Sequence, residues 1–155
     1  MRVLFTALAI TVLSSLPFTT YALEIKSAHV VIEDGSEFNK CYLRKESLLA
    51  SVESALRSNS IKPSNDLINP VFYVRVNVLD INSEFCAVSM RLSVRSYQYV
   101  EAKLAEIERK TVFAKVELFE QDGIFFLKKM NVQYQLNNEL RQLVDESISG
   151  IARMK

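Results

Sequence analysis

The sequence predicts an α+β fold: a two-layer sandwich with a mostly antiparallel sheet of about four strands and two helices on one face, in the order β-α-β-β-β-α. Three observations carry this expectation. Val71 to Asp80 and Phe85 to Tyr97 alternate apolar and polar residues along their length, as half-buried strands do. Leu43 to Asn59 and Leu136 to Ile151 instead repeat their apolar residues at helical spacing. The chain has 155 residues, 49% hydrophobic and 24% charged, and no internal repeat or Pro/Gly/Ser-rich linker, which suits one domain.

The first segment reads as an address rather than as structure. Arg2 is a minimal positive end, Val3 to Leu16 is apolar, Pro17 breaks a helix, and Thr20-Tyr21-Ala22 offers small residues at the cleavage positions. Residues 1–22 therefore have the pattern of a secretory signal peptide, leaving 23–155 as a single α+β domain. The competing reading is a retained anchor, since Val3 to Leu23 carries no charge and is long enough to span a bilayer core of ~30 Å. Pro17 and the following Ser/Thr-rich stretch weigh against it. With the leader removed, no stable membrane insertion is expected. Cleavage after Ala22 removes Arg2 and no acid, leaving 18 of the 19 basic side chains against 18 acidic ones. A neutral domain has no global field to attract nucleic acid, so none is expected as a partner.

Leu23 to Glu33 alternates and is rich in β-branched residues, with Ala28, Val30 and Ile32 on one side, and predicts the first strand. Asp34-Gly35-Ser36 is a turn signal. Over Leu43 to Asn59, Leu48, Val52 and Leu56 form a stripe that Leu49 and Ala55 widen. Asn59-Ser60 can close this helix, and Pro63 stops it. Next come the two best strands. Phe72, Val74, Val76 and Val78 point one way from the first; Cys86, Val88, Met90, Leu92 and Val94 point the same way from the second. Ile81-Asn82-Ser83-Glu84 joins them as a hairpin. Tyr99 to Lys110 is ambiguous between a helix and a long hairpin arm. Thr111 to Phe119 alternates again, with Val112, Ala114, Val116 and Leu118 facing one way and Phe113, Lys115, Glu117 and Phe119 the other. Asp122-Gly123 predicts a turn, and Ile124 to Leu127 a short further strand. Leu136, Leu140, Leu143, Val144, Ile148 and Ile151 stripe the last helix. The order resembles that of small modules in several bacterial envelope assembly proteins; no motif accompanies the likeness, and fold does not fix function.

Cys41 and Cys86 are the only cysteines, and export puts them where thiols oxidise, so a Cys41–Cys86 disulfide is expected. Closing that loop is worth roughly 3–4 kcal/mol in the chain-entropy view. No C-x-x-C is present to suggest a redox thiol.

Catalytic patterns are missing. The chain has no G-x-S-x-G, S-x-x-K or H-E-x-x-H, and His29 is its one histidine. Three glycines give no phosphate cradle, and neither metal nor cofactor is expected. Glu33-Asp34 and Glu101/Glu106/Glu108 read as solvated acids rather than a glycosidase pair. The sequence therefore predicts a protein that is not an enzyme. One feature stands above background. Tyr73, Arg75, Arg91, Arg95 and Tyr97 all fall on the outward side of the two best strands, and Phe113 and Lys115 continue that side if the next strand is adjacent. Tyr and Arg are enriched where proteins bind, because each pairs a large contact area with a polar end. The same residues also suit an ordinary solvated sheet face. The expectation is a periplasmic or secreted protein that binds an envelope protein. The alternative is a carrier of a small molecule, lipid or glycan, with a cavity between sheet and helices.

Overall fold

The computed structural model describes residues 25–35, 37–104 and 108–154. The leader read over residues 1–22 lies outside them. The order is β1 (Ser27–Asp34), α1 (Lys45–Ser58), β2 (Lys62–Ser64), β3 (Val71–Asp80), β4 (Phe85–Leu104), β5 (Glu108–Lys128) and α2 (Val132–Arg153). Short 3-10 helices, Phe38–Cys41 and Lys129–Asn131, precede the two α-helices. The strands form one five-stranded sheet in the order β2-β1-β3-β4-β5.

The α+β class holds, with differences in the strands. β1 runs parallel to both of its neighbours, while β3–β4 and β4–β5 are the long antiparallel ladders. β2 adds an edge strand that alternation could not reveal, because it has three residues and contains Pro63. The ambiguous stretch after Tyr97 is a hairpin arm: β4 and β5 pair from Phe85↔Lys128 out to Leu104↔Glu108, and residues 105–107 lie outside the described part.

The predicted turn at Asp122-Gly123 is corrected. β5 runs straight through it as one strand, with Arg91 opposite Asp122 and Met90 opposite Gly123. Gly123 has no positive φ, so its freedom to turn is unused. Its missing Cβ instead leaves room for the Phe125 ring, whose edge comes within 2.9 Å of where that carbon would stand. A second correction concerns Phe119. The register shifts at Val94/Arg95, pairing Val94 with Phe119 but Arg95 with Glu117, so Leu118 is an extra, bulged residue. Past the bulge Phe119 shares the face of Val94, and both Leu118 and Phe119 pack on the core.

The helices form where their stripes predict. Leu48, Val52 and Leu56 from α1, and Leu136, Leu140 and Val144 from α2, are fully buried against Phe72, Val74, Val76, Val88, Met90, Leu92 and Val94. α2 starts four residues before Leu136, and Val132 extends its buried stripe. The helices run the same way: Asn137 donates to Ser47 near their starts, and Asn59 donates to Asp145 further along. α1 ends in a Schellman turn. Ser60 takes the left-handed conformation (φ 62°), and the Ile61 and Ser60 amides donate to Leu56 and Arg57 carbonyls. The expected Cys41–Cys86 disulfide is present, with Cα atoms 6.2 Å apart and both residues fully buried. Among the described residues no helix is long and apolar enough to cross a membrane.

Candidate functional site

Both helices cover one face of the sheet, so the period of two sends every other strand residue to the opposite face, which the described residues leave uncovered. On that face Glu33, Arg75, Arg91 and Asp122 line up in one row across β1, β3, β4 and β5. Arg75 and Arg91 stand directly opposite each other, a pairing that repels unless neutralised. It is neutralised on both sides. Arg75 Nε lies 3.0 Å from Glu33 Oε2, and Arg91 reaches Glu120 at 3.0 Å and Asp122 at 3.3 Å. These pairs are half-exposed and contribute little stability, but they leave the two arginines already engaged.

The other three predicted residues gather elsewhere. Tyr73, Arg95 and Tyr97 border a hollow of about 410 Å³ near the start of β3. Phe113 joins them from β5, as the expected adjacency of that strand requires. The Arg95 guanidinium lies 4.2 Å from the centre of the Tyr73 ring, and Tyr97 and Phe113 stack at 6.3 Å. Tyr99 extends the aromatic group, 5.1 Å from Phe113. The five predicted residues therefore share one face but form two groups, a charged row and an aromatic hollow.

Val31, Val71, Leu67 and Ile68 complete the hollow, and the sequence reading did not include them. The signal for the last two was present: two large apolar residues side by side in an otherwise polar loop. That loop is held by side-chain turns. Ser64 Oγ accepts from the Asp66 amide at 3.0 Å, Asp66 Oδ1 accepts from the Ile68 amide at 2.9 Å, and Ser27 donates to Asn69 at 2.7 Å. Leu67 and Ile68 stay 60% and 76% exposed in this braced loop, which decides that they are displayed rather than packed. His29 has a structural role nearby: its Nδ1–H donates to the Ser64 carbonyl at 2.8 Å and ties β1 to β2.

Arg95 differs from the other two arginines. Among the described residues its nearest acid, Glu117, stands at 4.0 Å, beyond hydrogen-bond reach, and its Nε is shielded from water with no hydrogen-bond partner. Lys115, paired across the strands with Tyr97, forms no ion pair among the described residues. The hollow thus has apolar walls and one lining cation, Arg95, whose charge is not tightly matched, with Lys115 opposite Tyr97 on the neighbouring strand. At the far end of the same face Phe85 and Phe126 stack at 5.1 Å beside exposed Leu79 and Ile124. The space between sheet and helices, where a carrier's cavity was expected, is filled by the buried residues named above. Among the described residues no group of three or more His, Cys, Asp or Glu side chains is placed to hold a metal.

No protein-family model matches the sequence, and no curated protein matches it. Among solved structures, the chain has a loose likeness to the rare lipoprotein B from Shewanella oneidensis, 14% identical over 80% of this chain and 93% of that one, with a TM-score of 0.32. A minor lipoprotein from Acinetobacter baumannii is similarly distant, 14% identical over 83% of this chain and 90% of that one, with a TM-score of 0.28. Superpositions this loose set no expectation for the fold or the role of this chain.

Proposed function

We propose that this chain is an exported, non-catalytic protein that acts by binding a protein of the cell envelope through the uncovered face of its sheet. The observation that carries this reading is the asymmetry of the two faces. One is closed by two helices, while the other displays Leu67, Ile68, Tyr97, Tyr99 and Phe113 together at its hollow end. Apolar and aromatic side chains exposed as a group, beside ordered charges, are what a partner surface needs. The leader pattern and the buried disulfide favour an oxidising compartment as the place where this happens. The ion-paired row would fix the orientation of a partner more than its affinity.

The test is capture of envelope proteins on the immobilised chain, compared with two variants. Paired substitutions Ile68→Asp and Phe113→Asp are expected to abolish retention of the captured protein. Arg141→Glu, at an exposed position of α2, is expected to leave it unchanged. Equal retention by all three would overturn the reading. A carrier role is the second reading, favoured by the size of the hollow, which falls in the range of small-ligand sites.

A further inference from the structure

We infer that the hollow on the sheet's outer face is a binding site for a small amphiphile with one acidic head, in particular a medium-chain acyl carboxylate, whose head pairs with Arg95 and whose chain lies against Ile68 and Phe113. This assignment rests on the carrier reading of the hollow and not on the protein-partner reading; either can fail alone.

Two features select the ligand's chemistry. The first is charge. Arg95 lines a nearly apolar hollow with 26% of its side chain exposed, and Glu117 at 4.0 Å is too far away for a hydrogen bond. The exposed part of a guanidinium whose charge is only loosely matched is open to an acceptor, and an incoming carboxylate supplies the acceptor and the opposite charge together. Arg75 and Arg91, each within 3.0 Å of an acid on the same face, have no such vacancy. Stacking on Tyr73 holds the Arg95 head in place, so little freedom is lost when the anion arrives.

The second feature is the walls. Apart from Arg95 and the two tyrosine hydroxyls, the lining side chains are hydrocarbon or aromatic. A peptide laid in this hollow would bring amide groups that need partners, and the walls offer few. An acyl chain brings none. It needs only apolar surface, which the walls supply. Lys115 stands beside the rim as a second cation and raises the local concentration of anions. A cationic amphiphile meets the same walls but is repelled at the head, which gives the site a sign preference that apolar contact alone would not produce.

The experiment titrates the purified chain with sodium decanoate below its aggregation concentration, following tyrosine fluorescence and calorimetry; there is no tryptophan to interfere. The expected result is saturable binding of one decanoate per chain, with decyltrimethylammonium and acetate both failing to bind. Arg95→Met is expected to weaken decanoate binding about tenfold, the loss of one charge-assisted contact. Ile68→Asp, in an exposed loop where folding is not at stake, is expected to weaken it at least as much. Ile124→Asp, 84% exposed at the far end of the same face, is expected to change nothing. Absence of saturable decanoate binding overturns the inference. So does equal uptake of the cationic amphiphile, or equal loss in Ile124→Asp. Binding of a short peptide with an apolar C-terminal residue in preference to decanoate also overturns it, and would assign the hollow to a protein chain end.

Discussion

Glu37 shows how much one side chain can organise. Its Oε1 accepts from Lys40 Nζ at 2.8 Å and its Oε2 accepts from the Asp80 amide at 3.2 Å, so a single carboxylate joins the loop after β1 to the end of β3. The Lys40 hydrogen bond, and then the Asp80 amide, hold this carboxyl below its ordinary value. Three residues away Asp34 is lowered in the same way, chiefly by its hydrogen bond from Lys45 at 2.9 Å. Lys40 is raised, chiefly by Glu37. A carboxyl depressed in the folded chain adds stability above its unfolded pKa and loses it as pH falls through the folded one. For Lys40 the sense is reversed: the contribution is present below its ordinary value and is lost as pH rises through the folded one. The expected outcome is a melting temperature that drops as pH falls through the carboxylate range, with a shallower drop in an Asp34→Asn/Glu37→Gln variant. Asp34 is exposed and Glu37 partly so, so the effect is modest. Parallel acid limbs in melting curves of the two proteins would remove this assignment.

At the level of elements, Gly123 decides what β5 is. A glycine after an aspartate reads as a turn, yet here it is the inward residue opposite Met90, and the Phe125 ring occupies the place of its side chain. Gly123→Val is expected to displace that ring and destabilise the fold by about 1–3 kcal/mol, the usual cost of overpacking; a denaturant midpoint equal to that of the parent would show that the ring has room to move. The same position explains what could be read in advance. Alternation in Val71 to Asp80 and Phe85 to Tyr97 placed Phe72, Val88 and Met90 inward and the five surface residues outward, because a period of two on a half-buried strand leaves no other choice. The helical stripes were legible for the same reason. The bulge at Leu118 was not, since an extra residue breaks a period without any change in composition. Nor was the division of the surface residues into a charged row and a hollow. That depends on which strand lies beside which, and on a loop, Ser64 to Asn69, whose shape comes from hydrogen bonds between side chains and amides.

At the level of the whole molecule, the sheet is finished differently on its four sides. Helices close one face, and the described residues leave the other open. One edge is the three-residue β2 with Pro63, which has no amide hydrogen to offer a passing strand. The other is β5, 21 residues long, interrupted by its bulge and studded with Lys115, Glu117, Glu120 and Asp122. Charges and a local kink of this kind discourage edge-to-edge association. The Cys41–Cys86 bridge lies inside this arrangement, joining the segment before α1 to the start of β4, with both sulfurs under the packed layer. A reductant such as dithiothreitol can attack only a sulfur it can touch. Cleavage therefore has to wait for the molecule to open, and at high reductant its rate should plateau at the opening rate rather than climb with concentration. The bridge then works as a clock inside the fold: the time it takes to break, read by thiol labelling, reports how often the native structure comes apart.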